Sequence, residues 1–205
     1  MIEVETARRY YGGAGAGHDF DHVLRVLALA ERIARAEGGD LEVVRAAALL
    51  HDVARAEEEA GGPDHALAGA ERAREILAGH PAERVAAVAE AIAAHRYRGC
   101  GPAPQSPEAR ALFDADKIDA LGAVGVARAF AYAGAHGQRL WAPLDEASTQ
   151  GDGTAGHTPV HEFQVKLSRL RQVLTTATGR AIAEERHAFT VAFFERLEAE
   201  ARGEK

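Results

Sequence analysis

The stretch Ala46 to Ala54, reading AAALLHDVA, sets a histidine and an aspartate side by side inside an otherwise apolar run. Leu41, Val44, Ala47, Ala48, Leu49, Leu50 and Val53 leave almost no polar face, the pattern of a helix at the centre of a bundle. Asp40 reads as the N-cap, with Gly38 and Gly39 ending the helix before it. A carboxylate buried there without a partner would cost several kcal/mol, so His51 and Asp52 call for compensation, and a metal ion is the compensation these residue types favour. Neighbours on a helix point about 100° apart, so the pair meets one ion only if other helices bring further ligands.

Candidates for those ligands recur along the chain. In HDFDHVLRVLALAERIARAEGG, Val23, Val26, Leu27, Ala30, Ile33 and Ala34 repeat with helical period, which turns His22 toward the core and keeps Arg25 near it. A core histidine satisfied by a backbone carbonyl is the alternative for His22. After a turn over Gly61 to Asp64, His65 starts a helix ending near Gly79. The next helix is expected to open with Pro81 at its first position and to bury Val85, Val88, Ala89 and Ile92. His95, Arg96 and Arg98 fall at its far end, placed either for anion contact or to complement the helix dipole. Ser106 and Pro107 start another helix, and ALFDADKIDALGAVGVARAFAYAGAHG reads as its continuation. There Asp116, Asp119, Ala120, Ala123 and Ala127 share one side, while Asp114 points about 200° away from Asp116. A solvated helix start rich in acids remains the alternative for this run.

The alanine excess within 47% apolar residues favours helix, and an all-α protein is expected. At 205 residues one domain is the default, with a core over about 18–135, a long loop over about 141–159 and a C-terminal helical hairpin over about 160–200. The hairpin is read from two stripes, Val160, Phe163, Leu167, Leu170 and Leu174, then Ile182, Phe189, Ala192, Phe193 and Leu197, with a break at Thr178-Gly179; His161 and His187 read as structural or rim histidines. The net charge of −7 argues against a binder of nucleic acid polymers. Cys100 stands alone, which excludes an internal disulfide, a thiolate zinc cluster and a CxxC pair. The glycine run at Gly12 to Gly17 has no Lys-Ser or Lys-Thr after it, so it reads as a linker rather than a phosphate loop. No apolar run approaches the roughly 20 residues of a membrane span, and a cytoplasmic location is expected.

The ordered set His22, His51-Asp52 and Asp116, with the first histidine about 30 residues before the pair, resembles the ligand signature of the HD superfamily of metal-dependent phosphohydrolases. The contexts HDFDHVLRV, AAALLHDVA, AIAAHRYRG and DADKIDALGAVGVARAFAY, with TGRAIAEERHAF near the C-terminus, are similar to small single-domain bacterial members, some of which are deoxynucleoside triphosphate pyrophosphohydrolases. That likeness implies an HD-type helical bundle in which His22, His51, Asp52 and Asp116 bind one divalent metal, commonly manganese. Asp116 is carried over rather than Asp114 because it precedes a lysine in Ala115-Asp116-Lys117. The donor set suits manganese, iron, nickel, cobalt or zinc, with magnesium also open. His65 and His95 stand where some members hold a second metal, or they meet a phosphate. Arg25, Arg96, Arg98 and Lys117 are candidates to neutralise phosphate charge, and His18 joins them as a substrate contact. Asp52 or Asp119 is the candidate to accept the proton of the attacking water. The expected partner is a small phosphorylated substrate, most simply a nucleoside triphosphate cleaved to monophosphate and pyrophosphate. Phosphomonoesterase or phosphodiesterase action on another small phosphate, and a nucleotide-binding regulator without turnover, stay open, as does the oligomeric state, homodimer included.

Overall fold

The computed structural model describes residues 1–12, 20–96, 101–143 and 157–205. His18, Arg98, Cys100, the glycine run from residue 13 and most of the expected long loop lie outside them. No strand occurs among the described residues, in agreement with the all-α expectation. The helices are α1 (Val4–Arg8), α2 (Phe20–Glu37), α3 (Leu41–Leu50), α4 (Arg55–Glu59), α5 (His65–Ile76), α6 (Ala82–Ala93), α7 (Pro107–Asp119), α8 (Gly122–Ala135), α9 (Pro159–Val165) and α10 (Ala177–Ala201), with a 3-10 helix at Leu167–Val173. Among the described residues no single helix is long and apolar enough to cross a membrane. The chain forms two compact units: Met1–Asp116 with Thr175–Gly179, and Lys117–Leu174 with Arg180–Lys205.

In the first unit α3 is the central helix, packed against α1, α2, α5 and α6. Seven of its ten residues are buried, which is what its lack of a polar face requires. Asp40 caps it, its Oδ1 accepting from the Glu42 and Val43 amides at 2.8 and 3.3 Å. The preceding helix ends at Gly38, whose φ of +82° is the left-handed conformation that a glycine adopts without penalty. The α2 stripe buries Val23, Val26, Ala30 and Ile33, and the side chains of Val23, Val26 and Ile33 each contribute about 1.5–3 kcal/mol when fully covered. Asp64 caps α5 through the Ala66 and Leu67 amides. Gly69 lets α5 come close: a Cβ there would stand 3.3 Å from the His51 carbonyl oxygen and 3.5 Å from Ile92 Cγ2.

Several expected boundaries move. The run AAALLHDVA is not one helix: α3 stops at Leu50, His51 is its C-cap, and residues 51–54 form a turn. Pro81 is the N-cap of α6, not its first helical residue. The long helix expected after Ser106 is two, α7 and α8, separated at Ala120 and Leu121. Gly122 has φ +74°, and its Thr190-bound amide anchors the start of α8. Asp114 does face away from Asp116, as its helical angle predicts, and it is fully buried. Its two carboxylate oxygens accept from the amides and hydroxyls of Thr175 and Thr176 at 2.6–3.0 Å.

In the second unit the first arm of the expected hairpin is α9 followed by the 3-10 helix. Thr178-Gly179, which belongs to the first unit, lies in the first turn of α10. The aromatic contacts of α10 include Phe194, stacked 4.6 Å from Phe163, and Phe193, edge-on at 5.8 Å to Phe130, whereas Phe189 is exposed. His161 is a capping residue: Thr158 and His161 cap one another at the start of α9.

Candidate metal centre

The position of His51 just past α3 decides what its ring can do. The last carbonyls of a helix lack intrahelical partners, and His51 Nδ1 lies 2.8 Å from the Ala48 oxygen. A carbonyl only accepts, so Nδ1 carries the proton and Nε2 presents a lone pair. His95, just past α6, repeats the device with Nδ1 2.6 Å from the Ile92 oxygen. His65 opens α5, and its Nδ1 lies 2.7 Å from Glu58 Oε2, again an acceptor. His22 projects from the buried face of α2.

These rings turn their Nε2 atoms toward one carboxylate. Asp52 Oδ2 lies 3.6 Å from His51 Nε2 and 3.8 Å from His22 Nε2, while Oδ1 lies 3.5 Å from His65 Nε2 and 3.7 Å from His95 Nε2. Within each pair the nitrogens are closer still: 3.4 Å for His51 and His22, 3.2 Å for His65 and His95. Asp116 on α7 brings Oδ1 to 3.3 Å from His22 Nε2. Two groups of possible ligand atoms result, His22, His51 and Asp52, and Asp52, His65 and His95.

The donor chemistry fits a cation. With their Nδ1 protons committed, His65 and His95 oppose two lone pairs at 3.2 Å, an arrangement that repels unless positive charge sits beside both. Adjacent ligands on an ion with bonds of about 2.1–2.2 Å lie about 3 Å apart, close to the spacings found. A proton is a poor substitute at His51, because burial, ahead of the neighbouring histidines, pushes its pKa down to about 4 even with the Asp52 charge opposing. The His65 pKa is lowered too, first by burial and then by His95.

The expected residues divide accordingly. His22, His51, Asp52, Asp116, His65 and His95 come together. Arg96 is half-buried beside them and bound to Glu58 and to Asp64, the latter at 2.7 Å. Arg25 is half-buried on α2, one turn from His22. Lys117 and Asp119, both buried, belong to the second unit, where Asp119 Oδ2 accepts from Arg128 Nη1 at 2.7 Å. His18 and Arg98 lie outside the described residues.

Sequence reasoning missed Glu58, Asp64 and Tyr11. Glu58 sits in a run of three glutamates that reads as a solvated face, and nothing local separates it from its neighbours. Burial raises its pKa, but Arg96 and His65 more than offset that and hold it below the usual value. Tyr11 donates to the Leu49 carbonyl at 2.9 Å, and burial, then the Asp52 charge, raise its pKa well above the ordinary phenol value.

Residues 19–121, which contain every member of this cluster, match the HD domain family. The chain belongs to that family. The protein YpgQ of Bacillus subtilis strain 168 is 37% identical over 193 residues, covering 92% of this chain and 86% of YpgQ. The crystal structure of YpgQ in complex with ADP superposes with a TM-score of 0.74 at 32% identity and 97% coverage of both chains. A predicted HD superfamily hydrolase from an uncultured Thermotogales bacterium gives 0.68 at 32% identity, with 96% of this chain and 90% of that one covered. With its HD domain and its His/Asp cluster, the chain is a metal-dependent phosphohydrolase that binds a divalent metal.

Proposed function

We propose that this HD domain hydrolyses (deoxy)nucleoside triphosphates to the monophosphate and pyrophosphate, with manganese held by His22, His51, Asp52 and Asp116. The observation that carries the reading is the convergence of histidine Nε2 atoms on the two oxygens of Asp52, with Nδ1 of His51, His65 and His95 each fixed by an acceptor. A nucleotide substrate is supported by the YpgQ relative, a structure of which contains ADP. A divalent ion in such a centre polarises a phosphoryl oxygen and lowers the pKa of water.

The chain's own groups supply the rest. Fixed imidazole tautomers present lone pairs without reorganisation when the site fills. Asp52 Oδ1, the oxygen turned from His22 and His51, accepts the proton of the attacking water. Asp119 already carries an ion pair with Arg128, and it is assigned a supporting place on α7. Arg55 and Arg96 line the His65 side, where cations offset the charge gathering on phosphate oxygens; Arg25, Arg98, Lys117 and His18 extend the candidate contacts.

A second reading, a binuclear centre, is favoured by the His65 and His95 lone pairs facing Asp52 Oδ1 as the first pair faces Oδ2. Metal analysis decides between one ion and two per chain. The function is tested by offering nucleoside mono-, di- and triphosphates with manganese to wild type and Asp52→Ala, and by separating pyrophosphate from orthophosphate. Pyrophosphate release from triphosphates that disappears in the variant is expected. Orthophosphate as product would replace the reading with a phosphomonoesterase, and bound nucleotide without product would make the protein a regulator.

A further inference from the structure

His51 and His95 follow the last residues of α3 and α6, where a carbonyl of the final turn, three residues back, receives the Nδ1 proton. His65 is the first residue of α5, and the start of a helix exposes amides, which are donors. No helix carbonyl of its own is therefore in reach of its Nδ1. Glu58, from the neighbouring α4, takes that place at 2.7 Å. Arg55 Nη1 also approaches Nδ1, at 3.3 Å, yet a carboxylate at 2.7 Å requires a proton on Nδ1, so the guanidinium is pairing with Glu58 Oε2, 3.5 Å away.

Glu58 is itself fixed. Its Oε1 accepts from Arg96 Nη1, and the same nitrogen donates to Asp64 Oδ2 at 2.7 Å. Asp64 Oδ1 caps the first turn of α5, so the glutamate, the arginine and the cap form a closed frame around the base of His65.

We infer that Glu58 is a positioning residue of the metal centre: its carboxylate holds His65 as the Nδ1-protonated tautomer, which aims the Nε2 lone pair at the Asp52 and His95 side of the cluster. The inference rests on the binuclear reading above, in which His65 is a ligand, for its functional consequence, though not for the tautomer. Without the carboxylate, Arg55 becomes the nearest polar partner of Nδ1, and as a donor it draws the ring proton to Nε2. Nε2 then presents a hydrogen where a cation would need a lone pair.

The experiment is nitrogen-15 NMR of the His65 ring in the metal-free protein, wild type and Glu58→Ala, with calorimetric manganese titration of both. Wild type is expected to show His65 protonated on Nδ1, and the variant to move the proton to Nε2 or exchange between the two. The affinity for the second manganese ion, on the Asp52, His65 and His95 side, should fall about 10- to 100-fold in the variant, the usual effect of losing a group that orients a ligating histidine. An Nε2-protonated His65 in wild type overturns the inference without any variant. An unchanged tautomer or an unchanged affinity in a folded Glu58→Ala overturns it as well. If wild type binds fewer than two divalent ions, the binuclear reading falls, whereas the NMR result still judges the role of Glu58.

Discussion

Asp114 offers the sharpest test of how the fold holds Asp116 in place. Its carboxylate has no exposed surface and accepts four hydrogen bonds, from the Thr175 amide and hydroxyl at 2.9 and 3.0 Å and from those of Thr176 at 2.8 and 2.6 Å. Gly179 makes room for it, since a Cβ there would lie 2.3 Å from Oδ2. Replacing Asp114 with alanine leaves two backbone amides and two hydroxyls facing a void. Hydroxyls rotate toward other acceptors, but the amides are fixed, and each buried unpaired donor costs about 1–3 kcal/mol. With the lost packing, the expected destabilisation is about 3–5 kcal/mol, in the range for removing one partner of a buried charged cluster. That is a large fraction of the roughly 5–15 kcal/mol that holds a typical domain folded. Urea unfolding of metal-free wild type and Asp114→Ala reads the difference as a shift in midpoint at constant slope. Asp114→Asn should fall between them, because its amide oxygen serves one threonine while its NH2 group faces donors of the other. A loss below about 1 kcal/mol for the alanine variant would refute the reasoning, since surface positions change stability by no more than about half that.

Two further predictions concern the centre itself. His51 titrates near 4 in the folded chain and near 6.5 when unfolded, so between those values the unfolded state binds the extra proton. Metal-free protein should therefore lose up to about 3 kcal/mol as pH falls from about 6.5 to 4, His65 adding in the same sense; a flat urea midpoint across that range would contradict the burial argument. Tyr11→Phe removes the donor to the Leu49 carbonyl and should cost about 1 kcal/mol by urea unfolding, with the α2 and α3 packing intact; a gain in stability would show that the phenol is not needed there.

The parts of this molecule that were legible in the sequence are those whose cause is local. α2 and α3 follow from apolar period, and the Asp40 and Ser106 caps from residues within three positions. Asp114 was legible in direction, as its angle from Asp116 is fixed by the helix, but not in partner, because Thr175 and Thr176 stand about 60 residues away. Gly179 drew the opposite error: a glycine suggested a break, whereas its use is to lack a Cβ beside Asp114. The end of α3 was hidden because AAALLHDVA contains no breaker; the His51 ring itself accompanies the stop, covering the Ala48 carbonyl. The same comparison separates the histidines. One that follows the last residue of a helix finds its acceptor three residues earlier, so His51 and His95 carry their tautomers in the local chain. One that begins a helix finds only amides, and its acceptor must come from another element. His65 is that case, and one glutamate out of three became distinguishable only when the start of α5 met α4.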